Sequence, residues 1–233
     1  MKVAVMQPYF FPYLGYFDLI NSVDEWIVFD TAQYIRRGWV NRNRILHPQS
    51  GWQYLVAPVK KHSRDTPINN IEMVSDSDWK RRIVGQLLHY KNHAPFFKQT
   101  ITLVESCLVD DERSLSRLNV SVLEKTCAHL GIRFRYRYFS EMGVELGPIE
   151  SSGDWGLRIS QAVGASEYVN PPGGTDLYDD AKFAANGVNL LIKKLIDFEF
   201  TCGKYTFIPH LSVIDALMWN SPESIKERLD TLR

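Results

Sequence analysis

The chain opens with a short apolar run, Lys2–Met6, that is cut off by Gln7-Pro-Tyr-Phe-Phe-Pro12 and followed from Gly15 by apolar residues at helical spacing, Phe17, Leu19, Ile20 and Val23. Proline lacks the N–H that a sheet ladder needs and fixes its own φ, so Pro8 and Pro12 end the strand and confine the connection to a loop. Trp26-Ile-Val-Phe-Asp30 then supplies a second apolar run of strand length. Strand, loop, helix and strand in that order open an α/β fold on a parallel sheet, because parallel neighbours need a crossover long enough to hold a helix. With 45% hydrophobic residues in a chain of 233, one core can form without disulfide or metal support.

Further along, residues 44–47 and 52–59 flank the turn Pro48-Gln-Ser-Gly51 and predict an antiparallel hairpin, with another strand expected over residues 68–74. The middle of the chain is helical. Trp79, Ile83, Leu87 and Tyr90 recur at helical spacing, as do Leu115, Leu118 and Val122, with Leu123, Cys127 and Leu130 one step round and Gly131 as the stop. Residues 134–139 alternate aromatic rings with arginines and predict a half-exposed strand, and residues 154–163 predict an amphipathic helix. A short strand from Glu167, a Pro/Gly loop, an apolar strand over 188–192 and a helical C-terminus from Ser212 complete the pattern. No repeat, low-complexity tract or linker divides the chain, which reads as one domain, 1–233, with a sub-division near residue 145 as the alternative.

Lysine and arginine together number 27, and so do aspartate and glutamate. That balance leaves no global field to draw the protein to nucleic acid or an anionic bilayer, so any phosphate recognition has to be local. Cys107, Cys127 and Cys202 are far apart and odd in number, which fits buried thiols in a reducing compartment rather than a disulfide framework or a zinc site. The first eight residues hold too short an apolar run for a signal peptide, and no later stretch reaches the roughly 18 apolar residues of a membrane span. A cytoplasmic protein without membrane insertion is the expectation.

Three segments carry candidate chemistry. In Gln7-Pro-Tyr-Phe-Phe-Pro-Tyr-Leu-Gly-Tyr-Phe17 a loop leaves the carboxyl end of a strand and opens a helix, the place where α/β sheets bind ligands. Gln7, Tyr13 and Tyr16 can hydrogen-bond a guest there, and Gly15 can admit a close backbone; the competing reading is a rigid plug of buried rings. In residues 30–44, Asp30 ends a strand and Arg36, Arg37, Arg42 and Arg44 follow, with Asn41 and Asn43 alternating with Arg42 and Arg44 so that each pair shares a strand face. Guanidinium groups recognise phosphate in a bidentate manner, which makes this segment a candidate diphosphate reader, and a solvated basic edge strand is the alternative. In Tyr168-Val-Asn-Pro-Pro-Gly-Gly-Thr-Asp-Leu-Tyr178, Gly173 and Gly174 can form an anion nest near Tyr178 and near Arg158 of the preceding helix, or a plain Pro-Gly turn.

Other patterns carry less. His89 and His93 stand four apart on a helix without a third ligand, so no metal is expected. His210, Ser212 and Asp215 are too close in sequence for a presumed catalytic triad; Ser212 reads as a helix cap, with Asp215 completing a capping-box pattern. The arginine-aromatic run at 133–139 has the composition of a single-strand nucleic-acid platform, yet the neutral charge favours an ordinary strand and no nucleic-acid partner.

The segment from Gln7 to Phe17, then Val28-Phe-Asp30, Gln33-Tyr34 and Gly38-Trp-Val-Asn-Arg-Asn-Arg-Ile45, resembles the opening signature of the WbqC-like protein family. The likeness continues through Tyr90 to Phe97, Leu118-Asn119, Leu130-Gly-Ile132, Gly164 to Val169, Gly173-Gly174 to Tyr178-Asp179 and Gly187 to Leu190. Tyr13-Leu-Gly-Tyr16 also occupies the position of the His-x-Gly-His motif of nucleotidylyltransferase-like folds, with tyrosine in place of both histidines, so imidazolium charge is lost. The resemblance implies work on nucleotide-linked sugars in O-antigen or related surface-glycan synthesis. With the strand and helix pattern above, that motif position leads to an expected α/β, Rossmann-like (nucleotidylyltransferase or HUP-like) sheet with an added antiparallel hairpin and a helical middle segment. The expected activity is transfer of an acyl or aminoacyl group to the amine of a nucleotide-linked amino sugar, with ATP or an acyl-CoA on the donor side. Asp30 is the candidate base or orienter, with Tyr13 and Tyr16 beside it. Gln7, Gly15, Gln33, Arg37, Asn41, Arg42, Asn43, Arg44, Arg158, Gly173, Gly174 and Tyr178 are the candidate substrate contacts. A non-catalytic nucleotide-sugar-binding or scaffold protein is the alternative.

Overall fold

A computed structural model describes residues 1–75, 78–108, 112–194 and 198–231. Strand β1 (Lys2–Met6) passes through the aromatic loop into helix α1 (Leu14–Asn21), which returns the chain to strand β2 (Glu25–Val28). A hairpin of β3 (Arg42–Leu46) and β4 (Trp52–Val56) follows, antiparallel and outside the main sheet. Helices α2 (Asp78–Leu87), α3 (Phe97–Leu108) and α4 (Leu115–His129) form the helical middle and lead to the short strand β5 (Tyr136–Tyr138). Helix α5 (Asp154–Ala162), strand β6 (Glu167–Asn170), helix α6 (Asp180–Ala185) and strand β7 (Asn189–Ile192) come next, then helices α7 (Val213–Trp219) and α8 (Pro222–Thr231).

The main sheet runs β5-β2-β1-β6-β7, with every neighbouring pair parallel. Side chains alternate across it, as a strand requires. Ala4, Trp26, Val28 and Val169 join the larger core beneath α1, α4 and α7, while Val3, Val5, Ile27 and Tyr168 join a smaller core beneath α5 and α6. Helices therefore cover both faces, and this explains why β1 and β2 read as continuous apolar runs. From β1 the chain works outward through β2 to β5, and then returns to the other side of β1 to add β6 and β7. The reversal puts the sheet's switch point between β1 and β6, the position at which doubly wound sheets form a ligand crevice at the carboxyl ends of the strands.

Two local expectations change. Residues 68–74 form a single 3-10 turn, Ile68–Asn70, and isolated bridges from Glu72 to Ser114 and from Met73 to Val59 rather than a strand. Ile68, Ile71 and Met73 are buried, so the apolar spacing is real, but the neighbouring chain offers single bridging residues instead of a ladder. The hairpin also starts at Arg42 and ends at Val56. All three cysteines are buried.

Candidate functional site

The loop after β1 is fastened carbonyl by carbonyl. Fully buried Asn119 of α4 donates its Nδ2 to Pro8 O at 2.8 Å and to Val40 O at 2.6 Å. Asn43 of β3 donates to Phe10 O at 3.2 Å and Phe11 O at 2.9 Å, and its Oδ1 accepts from the Arg44 N–H at 2.8 Å, which fixes the amide's orientation. Phe11 O also accepts from Ser212 Oγ at 2.8 Å, and Pro12 O from the Val213 N–H at 2.8 Å. Phe11 sits at φ 40° and His210 at φ 57°, left-handed conformations that disfavour residues with a Cβ. Such strain persists only where surrounding contacts over-determine the backbone, and these hydrogen bonds do so around Phe11.

Six rings in this loop and helix divide their duties. Phe10, Phe11, Tyr16 and Phe17 are buried core residues, and Tyr16 stacks on Tyr9 with centroids 5.3 Å apart. The Tyr16 hydroxyl donates to Gln7 O, and burial holds its pKa well above the ordinary phenol value. Tyr13 turns outward instead, edge-on to His210 at 5.6 Å. What Gly15 admits is this same ring, since a Cβ there would lie 2.3 Å from Tyr13 Cε2. Burial raises the Tyr13 pKa too, with Tyr9 and Asp18 adding to the effect, so its hydroxyl is a neutral hydrogen-bonding group at pH 7.

Asn41 and the β3 residues that follow it sort by face as the alternation predicts. Asn41 and Asn43 point inward, Asn41 donating to Ala57 O at 2.9 Å, while Arg42 and Arg44 lie on the opposite, half-exposed face. Arg42 lies over the Tyr54 ring at 4.1 Å and binds the Gly38 and Arg37 carbonyls, so it holds its own turn. Arg37, at φ 63°, is exposed, Arg36 reaches His62 O at 3.2 Å, and Gln33 donates to Arg64 O at 2.9 Å. Arg44 differs from all of these. Its guanidinium lies 5.2 Å from both the Trp39 and the Trp52 ring, rings that are 38% and 42% exposed. One Nη reaches His210 O at 3.4 Å, and Nε is buried without a partner.

Asp30 ends in a different arrangement, one strand toward the β5 edge, just past β2. It is buried, and its two oxygens accept from the Ser140 N–H at 3.0 Å and Ser140 Oγ at 2.6 Å. On the other side of β1, Asn170 at the end of β6 organises the Pro/Gly loop. Its Oδ1 accepts from Tyr168 and Tyr178 hydroxyls at 3.0 and 3.1 Å, and its Nδ2 donates to Pro171 O at 2.7 Å and Gly173 O at 3.4 Å. Gly174 takes φ 82°, which supplies the turn. Arg158 is engaged on α5 by Pro148 O, Gln161 and Asn186, away from the β1 loop's partners.

A cavity of about 200 Å³ lies between the start of α1 and residues 198–212. Tyr13 and His210 stand at it, Phe198, Phe200 and Phe207 wall it, and Asp215 of α7 also lines it. Ser212 caps α7 by accepting from the Ile214 N–H at 3.3 Å. The capping-box expectation for Asp215 is corrected: its carboxyl turns inward to the Tyr90 hydroxyl and to the Leu46 N–H, 3.3 Å from each oxygen. Burial pushes its pKa up to about 7, against the lowering by those two hydrogen bonds. The cavity lining was hard to read in sequence because residues 198–212 carry no period; Asn119 had only its place beside Leu118 as a signal.

A parallel five-stranded sheet wound outward in both directions from β1, with helices on both faces, defines a Rossmann-like α/β protein. Within that class the chain belongs to the WbqC-like protein family, whose sequence profile it matches over residues 7–227. It is also similar to the uncharacterized protein Rv1507c of Mycobacterium tuberculosis (strain ATCC 25618 / H37Rv), 32% identical over 183 residues that cover 78% of this chain and 77% of that one. No solved structure matches. Among the described residues, no helix is long and apolar enough to cross a membrane.

Proposed function

We propose that this protein transfers an acyl or aminoacyl group to the amine of a nucleotide-linked amino sugar, in O-antigen or related surface-glycan biosynthesis. The observation that carries this reading is the junction of the β1 loop, the Arg44 strand and the cavity, joined by Asn43, Phe11, His210 and Ser212 beside the switch point. Arg44, with its unpartnered Nε between two indoles, is the group suited to a diphosphate or nucleobase. Tyr13 contacts the reacting end, and the Gly173-Gly174 loop closes the far side of the crevice. Tyr16, Asn43 and Asp30 act as positioning residues, since their polar atoms are already engaged. The donor is an activated acyl group, delivered by an acyl-CoA or made with ATP.

Incubating the protein with a panel of nucleotide amino sugars, together with ATP plus amino acids or with acyl-CoAs, tests this by mass spectrometry. A product heavier by one acyl or aminoacyl group is expected, and no change across the panel counts against it. A second reading, a non-catalytic nucleotide-sugar-binding protein, is favoured by the full engagement of Asp30 and Tyr16. The two part at Asp30→Asn. An enzyme whose site this carboxylate positions keeps ligand affinity and loses about tenfold or more in rate, whereas a pure binding protein keeps its affinity and shows no turnover in either form.

A further inference from the structure

Four aspartates are buried among the described residues, Asp18, Asp30, Asp154 and Asp215. Lys193 lies 3.2 Å from Asp18, Lys182 lies 2.7 Å from Asp154, and Ser140 gives Asp30 two hydrogen bonds. Asp215 has the Tyr90 hydroxyl and the Leu46 N–H, no cationic partner among the described residues, and a place in the cavity wall. A carboxylate removed from water without a cation is destabilising, and burial raises this one to about 7. A cation entering the cavity would answer that charge.

The rest of the wall suits such a guest. Phe198 and Phe200 have centroids 5.5 Å apart, Phe200 and Phe207 5.0 Å, and Tyr13 and His210 5.6 Å. Aromatic faces attract a cation held within about 6 Å of the ring centroid, and rings grouped around one point form a box for an ammonium. An anionic guest would meet the Asp215 carboxylate, and a wholly apolar one would leave it unanswered. The volume, about 200 Å³, is somewhat larger than the roughly 150 Å³ of an engineered apolar cavity that binds benzene, so a six-membered ring fits.

We propose that this cavity seats a primary ammonium carried on a small ring, with Asp215 as its counter-ion and Tyr13, Phe198, Phe200, Phe207 and His210 as its walls. The inference rests on the acyl-transfer reading and assigns the acceptor's amine its place in that same site. Asp215 can also take one proton from the ammonium, an N–H bond breaking as an O–H bond forms, which frees the lone pair that acylation needs.

Titrating the full chain at pH 8 with cyclohexylammonium chloride and with cyclohexanol, followed by NMR, tests the site without any nucleotide. The ammonium is expected to bind about tenfold tighter than the alcohol, a preference lost in Asp215→Asn. Phe207→Leu should weaken ammonium binding about threefold and cyclohexanol binding less, so that the preference shrinks, and it decides the matter with the wild type if Asp215→Asn does not fold. Equal binding of the two ligands to the wild type, or a preference that survives Asp215→Asn, overturns the inference. Ammonium preference without acyl transfer on nucleotide amino sugars leaves this site standing and removes the transfer reading. Acyl transfer without ammonium preference does the reverse.

Discussion

Arg42 and Arg44 stand two apart on one strand face, and their surroundings give them different work. The Arg42 guanidinium is held by the Gly38 and Arg37 carbonyls and the Tyr54 ring, whereas Arg44 keeps a buried Nε unpartnered between Trp39 and Trp52. Lysine can replace the charge of an arginine but not its planar stacking or its Nε donor. Arg44→Lys is therefore expected to weaken nucleotide-sugar binding by about tenfold with little change in melting temperature. Arg42→Lys should do the opposite, costing about 1 kcal/mol of stability through the loosened turn and leaving affinity near wild type. Calorimetric titration of both variants checks the contrast, and equal losses of affinity would return the pair to a joint clamp. In sequence the two are indistinguishable, because alternation fixes the face a side chain takes and says nothing about which carbonyls await it there.

At the scale of elements, the loop between β1 and α1 is shaped by asparagines that lie far from it in the chain, Asn43 of β3 and Asn119 of α4. Replacing Asn119 with alanine leaves two buried carbonyls, those of Pro8 and Val40, without their donor. The expected loss is about 2 kcal/mol, since each orphaned group costs about 1–3 kcal/mol and removing the unpartnered Asn119 Oδ1 offsets part of it. Urea unfolding measures the loss, and an unchanged midpoint would show that the loop holds without this tie. β1, α1, β2 and the hairpin were legible because apolar periodicity and proline positions act locally. Helix α3 was less so, because Thr100 and Cys107 interrupt its buried stripe, Thr100 donating to Leu217 O at 2.9 Å. The strand order was not legible at all, since no local pattern tells β6 to lie beside β1. The same holds for the cavity, whose walls meet only after β7 and α7 are docked.

For the whole molecule, buried acids of opposite tendency set how stability varies with pH. Asp154 is held well below the ordinary carboxylate range by Lys182 and by the Glu150 and Ser151 N–H groups, so its contribution is present above the unfolded pKa and lost as acid protonates it. Asp215 works in the other direction. Its folded pKa of about 7 stands above the ordinary aspartate value of 3.8, so between these values the native state binds a proton that the unfolded chain has released. Stability from this group is fully present below about pH 4, falls as pH rises, and levels off above about pH 7. The span is about three pH units at about 1.4 kcal/mol each, on the order of 4 kcal/mol. Asparagine keeps the shape and cannot ionise, so the difference in unfolding free energy between wild type and Asp215→Asn isolates this group from Asp154, Asp18 and the histidines. Measured by denaturant titration from pH 4 to 8, that difference should fall steadily to about pH 7 and then flatten. A ring-borne ammonium added at pH 8 should restore part of the lost stability in the wild type and none in the variant, because binding to the native state alone stabilises it by mass action. A pH-independent difference would mean that Asp215 does not change its protonation on folding, and the cavity would then need another reason for holding a carboxyl group.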